Sequence, residues 1–224
     1  MPASVHKAAL VLDLFSVERP DWGPTEVADE LRIAKSTAHA LLGELTSVGL
    51  TERLPCGRYR LGWRTLGLAR TKLATSGYGE AITPTARRLA SQFGETVHIT
   101  AWERGRVLYV ASERPPGGVA APAAPVAAHL TPPGTVLLAE QAAGIGSGPE
   151  SGELERTRRR GYAVGAQRAL EGVDCAAAPV RTSYGPATAA LALCAPRDRF
   201  QPRRDQYARA IAGAAERIAR SLRR

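Results

Sequence analysis

The sequence predicts an α+β chain: a small amino-terminal helix-turn-helix module with a two-stranded wing, a connecting helix, and a larger carboxy-terminal α/β unit. Three observations predict it. From Val5 to Val48 apolar residues recur at three- and four-residue steps, the spacing of core-facing helical stripes. A Pro55-Cys56-Gly57 turn then joins two short runs of strand character. Beyond residue 78, helical stripes and period-two runs succeed one another.

Val5, Ala8, Ala9, Leu12 and Phe15 define a first helix over about Val5–Val17. Pro20, Gly23 and Pro24 break it, and Thr25 is placed to cap a short second helix with Val27, Ala28 and Leu31 inward. Arg32 and Ile33 leave a tight turn before a third helix, Ala34–Val48, whose buried side is Ala38, Leu41 or Leu42, Leu45 and Val48. Two short helices joined so tightly fit a helix-turn-helix, whose second helix enters the DNA major groove. A three-helix bundle with a solvated face fits the spacing equally well.

The next segment favours the first reading. Gly49 stops the third helix, and Thr51–Leu54 with Arg58–Leu61 read as a wing carrying Arg53, Arg58 and Arg60 near its tip. Lys35, Ser36, Thr37, His39 and Ala40 face outward on the third helix, where small polar residues suit base edges and phosphates, while the wing arginines suit the backbone.

Charge agrees by location more than by total. Thirty Lys+Arg against 21 Asp+Glu give +9, and the isoelectric point is near 10.1, a balance that favours polyanionic partners. Residues 1–75 hold 10 Lys+Arg and 8 Asp+Glu, a net of only +2. Within 34–64, however, Lys35, Arg53, Arg58, Arg60 and Arg64 oppose only Glu44 and Glu52. From Arg197 onward nine arginines accompany three acids, read as a solvated helix face ahead of an extra binding surface.

Several classes are expected to be absent. Asp13 interrupts the apolar stretch Ala8–Phe15 and no small-residue cleavage site follows it, so no signal peptide is read there. No window approaches the roughly 20 apolar residues of a membrane span. Three cysteines without a Cys-x-x-Cys pair suggest a reducing cytoplasm and no metal cluster. His6, His98 and His129 lack companions at ligand spacing. A Gly-x-Ser-x-Gly elbow, a His-Glu-x-x-His helix and a phosphate loop are all missing, and Gly144–Gly148 reads as a linker, so neither catalysis nor a cofactor is expected.

Six segments in order resemble IclR-type bacterial transcription regulators. They are Lys7–Leu12, Ala34–His39 with Leu41-Leu42, Gly57–Gly62, Gly94–His98, Arg159–Ala163 and Glu171–Val180. The resemblance implies a winged helix-turn-helix over 1–62, a linker helix over 63–78 and a GAF-like effector-binding and oligomerisation domain over 79–224. It further implies homodimers or homotetramers on a pseudo-palindromic double-stranded DNA operator, a small-molecule effector, and repression more often than activation. The rival readings are a sensor or enzyme using the second domain alone, and an interaction module that has lost DNA recognition. Trp63–Thr75 is the linker helix, with the boundary relaxed by Ser76, Gly77 and Gly79.

In the second domain, helices are read at Thr83–Phe93, about Thr135–Ala143, Glu153–Arg160 and about Arg203–Leu222, and strands at Val97–Trp102, Val107–Ala111, Cys175–Thr182 and Ala187–Ala195. A strand within Val119–Val126 is poorly specified by its Pro, Gly and Ala content. Members of the resembled family grip a small carboxylate in four places, which map here to His129, Thr131 and Gly134; to Gly165, where an aspartate is usual; to Cys175; and to Ala192 and Cys194, where serines are usual. Pro132 and Pro133 remove amides that would face an anion. A site short of donors disfavours two- and three-carbon acids, so the expected effector is larger and more apolar, or ligand control has been lost. A hairpin turning around Ser183–Pro186 places Cys175 opposite Cys194, two small buried hydrophobes that could oxidise.

Overall fold

The computed structural model describes residues 3–75, 82–141, 151–182 and 185–222. The chain divides into two compact units, residues 1–76 and 77–224. The expectations for Ser76, Gly77 and Gly79, for Gly144–Gly148, and for Ser183 and Tyr184 lie outside the described residues.

In the first unit, α1 (Ala3–Asp13), α2 (Pro24–Leu31) and α3 (Lys35–Ser47) enclose a core of Val11, Trp22, Val27, Ala38, Leu42 and Tyr59. Of the alternatives at 41 and 42, Leu42 takes the fully buried place, whereas Val48 lies beyond the helix and is exposed. The cap of α2 differs from expectation. Gly23, not Thr25, is the cap residue, because the Glu26 carboxylate accepts the Gly23 amide at 2.7 Å and Pro24 opens the helix without needing a donor. Arg32 ends α2 in the left-handed region (φ 52°), so only Arg32, Ile33 and Ala34 separate α2 from α3.

The wing is β2 (Thr51–Arg53) and β3 (Tyr59–Leu61), with β1 (Asp21–Trp22) added on the far side of β3. Two residues carry too little periodicity for β1 to be read from sequence. Gly62 closes the wing against the end of α3: a Cβ there would sit 2.3 Å from the Gly49 carbonyl oxygen. The linker helix α4 spans Trp63–Thr75 and buries none of its residues within the unit.

The second unit is a six-stranded antiparallel sheet in the order β6-β5-β4-β9-β8-β7. Its strands are β4 (Thr96–Glu103), β5 (Arg106–Glu113), β6 (Val126–Ala127), β7 (Ala163–Ala166), β8 (Val173–Pro179) and β9 (Ala189–Pro196). Arg104 and Gly105, both at positive φ, make the two-residue turn between β4 and β5. Alternation sends Val97, Ile99, Leu191 and Leu193 to one face, where α5 (Thr83–Phe93) and α9 (Arg204–Ser221) pack through Leu89, Tyr207, Ile211 and Ile218. The other face presents Cys175, Ala177, Ala192 and Cys194 to Val136 and Leu137 of α6 (Pro132–Gln141). α7 (Ser151–Arg160) and the short α8 (Arg197–Phe200) complete the unit.

Three features differ from the sequence expectation. α6 begins at Pro132 and not Thr135, since proline is well suited to a first helical turn. The strand expected within Val119–Val126 is reduced to β6, Val126–Ala127. Cys175 and Cys194, directly paired across β8 and β9, are joined as a disulfide and are not two free hydrophobic thiols. Register explains this, since facing positions bring the two Cα atoms to 4.2 Å. The basic carboxy-terminal stretch is also partly spoken for: Arg199 holds the buried carboxylate of Glu95 at 2.8 and 2.9 Å, and Arg197 faces that of Asp174. The bonds to Glu95 raise the pKa of Arg199 further.

Candidate nucleic-acid interface and effector groove

α3 is anchored by Ala38, Leu42 and Leu45 on its inner side. That orientation leaves Lys35, Ser36, His39 and Ala40 exposed and Thr37 half-buried. Ala34, the cap residue, offers no side-chain acceptor. The first-turn amides of α3 therefore have no side-chain cap, at the end of a helix that attracts anions.

The wing arginines divide. Arg53 is exposed and has no carboxylate partner among the described residues. Arg60 is exposed and pairs with Glu52 across β2 and β3, a surface pair of small worth that a phosphate can displace. Arg58, expected to anchor the DNA backbone, is engaged within the unit. Its guanidinium binds the Asp21 carboxylate, the Asp21 carbonyl at 3.0 Å and Glu26 at 2.8 Å. These bonds raise its pKa further, and Glu26 is held below its ordinary value first by the Gly23 amide and then by Arg58 and Arg19. Arg58 thus fastens the wing to β1 and α2. Nothing in the local sequence signals this, since Asp21 is 37 positions from Arg58.

In the second unit a groove of about 330 Å³ runs between the start of α6, α7 and the edge strand β7. His129, Thr131 and Gly165 line it, while Gly134, Cys175, Ala192 and Cys194 do not. The last three are fully buried beneath α6. Gly134 is a packing position, where a Cβ would meet the Ala128 carbonyl oxygen at 2.0 Å. Above Gly165, by contrast, no atom lies within 4 Å of a built Cβ, so a side chain there would enter open space.

The start of α6 offers no amide to an anion. Pro132 and Pro133 have none, the Gly134 amide donates to Thr131 Oγ1 at 3.0 Å, and the Thr135 amide donates to the Thr131 carbonyl at 2.8 Å. Leu130, Pro132, Leu138, Leu154 and Val164 give the groove apolar walls, and Arg160, Arg168 and Glu153 give it charge.

A buried polar cluster escaped the sequence reading. His98, on the face opposite Val97 and Ile99, lies 2.7 Å from Ser112 Oγ and edge-on to the Tyr109 ring, and the Gln167 amide donates to the Tyr109 hydroxyl. Burial, assisted by Arg114, pushes the His98 pKa down to about 4, so the ring is neutral at pH 7. Burial likewise raises Tyr109 to about 12, against the bonds from Gln167 and Thr131. Alternation of His98 and Thr100 with apolar neighbours was the available signal; Gln167 offered none.

The family model for the IclR helix-turn-helix domain matches residues 4–55, and that for the bacterial transcriptional regulator IclR C-terminal domain matches 151–220. A glycerol operon regulatory protein of Streptomyces coelicolor is 30% identical over 198 residues, covering 79% of this chain and 78% of its own. The chain belongs to the IclR family of bacterial transcriptional regulators.

The HTH-type transcriptional regulator XynR of Escherichia coli is 26% identical over 221 residues, 85% of this chain and 84% of its own. Among solved structures, a putative IclR regulator from Silicibacter superposes with a TM-score of 0.84 at 22% identity, covering 98% of this chain and 96% of its own. An IclR homolog from Microbacterium hydrocarbonoxydans complexed with 4-hydroxybenzoate superposes at 0.79 and 24% identity, covering 98% and 99%. The present IclR protein is therefore a transcriptional regulator with an amino-terminal DNA-binding domain and a carboxy-terminal effector-binding domain. Among its described residues, no helix is long and apolar enough to cross a membrane.

Proposed function

We propose that this IclR protein is a cytoplasmic repressor that binds a pseudo-palindromic operator as a homodimer or homotetramer and acts by binding, without catalysis. Exposure of the α3 first turn carries the reading: Lys35, Ser36, Thr37, His39 and Ala40 sit on the accessible side of a helix whose opposite side is core. These residues read bases and adjacent phosphates, Arg53 and Arg60 contact the backbone, and Arg58 shapes the wing. Pairing of two copies is supported by apolar side chains with no cover within the unit, among them Trp63 (77% exposed) and Leu66 (51%) on α4 and Val5 on α1. The groove lined by His129, Thr131 and Gly165 is the effector site.

A gel-shift assay with DNA upstream of the protein's own gene tests the reading. A complex that resists nonspecific competitor DNA is expected. Binding that competitor removes at equal mass ratio would contradict it.

A further inference from the structure

The geometry points to a second ligand site in the carboxy-terminal unit, separate from the groove along β7. It is a cleft of about 340 Å³ between the ends of α7 and β8 and the last turns of α9, and it takes the phosphate group of a small phosphorylated molecule.

Three guanidiniums enter this cleft from three elements. Arg160 closes α7, Arg181 follows β8, and Arg220 lies in the last turn of α9. Arg160 is held in place, its Nε donating to the Tyr162 carbonyl at 2.9 Å and its guanidinium lying 4.8 Å from the Tyr162 ring centroid. Its terminal nitrogens make no bond among the described residues. Arg181 donates from Nε and Nη2 to Glu140 Oε1 at 3.1 and 2.5 Å, so its Nη1 stands outside that pair. Arg220 is exposed and has no carboxylate partner among the described residues, although Glu216 precedes it by one turn of helix.

Like charges gathered from separate elements repel one another until an anion joins them. Glu216 is the one carboxylate in the lining. The carboxy-terminal ends of α7 and α9 attract cations and explain Arg160 and Arg220 singly, but they do not explain Arg181 at the same cleft. Gly161, at φ 77°, keeps the space between Arg160 and Arg181 clear: Arg181 Nη1, at 3.9 Å, is the one atom within 4 Å of a Cβ built there.

A phosphate monoester matches these donors better than a carboxylate does. It carries about −1.5 to −2 at neutral pH and presents three acceptor oxygens, whereas a carboxylate presents one charge and two oxygens. Ala212, Ala215 and Ala219 line the remaining wall and offer apolar contact to an organic body. The arginines ring a concave space, where a compact ligand is enclosed and the convex backbone of a duplex is not.

Calorimetry on the full-length protein without DNA, at constant ionic strength and up to millimolar ligand, compares pyrophosphate with acetate. Saturable pyrophosphate binding is expected, with acetate about tenfold weaker or more. Arg220→Gln, a change at an exposed side chain, should weaken pyrophosphate about tenfold without altering the melting temperature. Glu216→Gln should strengthen it, and Ala212→Trp, filling the cleft, should abolish it. Gly165→Trp, which fills the groove along β7 instead, should leave it unchanged, as should the salt slope of operator binding in Arg220→Gln.

Absence of pyrophosphate binding at millimolar concentration would overturn the proposal. So would binding that is indifferent to Arg220→Gln and Ala212→Trp, or that Gly165→Trp abolishes, since the anion would then lie elsewhere. A lower salt slope for Arg220→Gln without pyrophosphate binding would give these arginines to DNA, and a lower melting temperature without binding would reduce them to helix-end charges. Either result would overturn the site while leaving the reading of the β7 groove untouched.

Discussion

Arg58 on the wing lies 2.8 Å from Glu26 at the start of α2, and the same guanidinium binds Asp21. One side chain therefore ties the wing to α2, the helix that precedes α3. Arg58→Ala is expected to lower the thermal midpoint of the amino-terminal unit, measured by circular dichroism, and to weaken DNA binding through misplacement of the wing. Arg53→Ala should leave the midpoint alone and reduce the salt slope of binding by about one. Equal midpoints for the two variants would return Arg58 to the role of a plain phosphate contact.

Thr131 closes the start of α6 by accepting the Gly134 amide. Thr131→Ala should destabilise the second unit by about 1 kcal/mol, and Thr131→Ser should restore most of it. Urea midpoints measure both. A fully stable alanine variant would show that the cap contributes nothing.

His98 gives a pH signature. Its folded pKa of about 4 lies below the ordinary 6.5, so between these values the unfolded chain binds a proton that the folded one refuses. Stability is then at its full value above about pH 6.5 and falls as pH drops towards 4, by about 3 kcal/mol for this group alone. Urea titrations at several pH values should show a shallower loss for His98→Asn. Parallel curves would contradict the burial argument.

The disulfide between Cys175 and Cys194 leaves Cys56 as the free cysteine. Alkylation in denaturant without reductant, read by mass spectrometry, should add one label, and three after reduction. Closing a loop across 19 positions contributes about 3 kcal/mol by the chain-entropy argument, so reduction should lower the melting temperature. Three labels before reduction would show free thiols. Such bonds are uncommon in reducing compartments, which makes protein purified anaerobically the informative sample.

Local rules made much of this chain legible. The linker helix is read from Trp63 to Thr75 and found there, because Gly62 and the wing fix its start. Cys175 stands opposite Cys194 because a hairpin register follows from its turn. What escaped has no local signal. β1 is two residues, and in β7, Ala163–Ala166, only Val164 has strand preference. Arg58 looks like any wing arginine until Asp21 is folded beside it. Of the positions expected to hold an effector, His129, Thr131 and Gly165 line one groove, whereas Cys175, Ala192 and Cys194 are sealed under α6. Arg168 lies outside every segment that carries the resemblance, and only the fold brings it to the groove that Arg160 also lines.

The most direct test of the central claim is the base preference of Thr37→Ala and Lys35→Ala proteins, measured by fluorescence anisotropy against an operator series with single base-pair changes. Thr37→Ala is expected to alter discrimination at one position by about 1–3 kcal/mol, while Lys35→Ala weakens binding across the series and lowers the salt slope. Affinity and preference matching the unaltered protein in both variants would contradict the assignment of α3 as the reading helix.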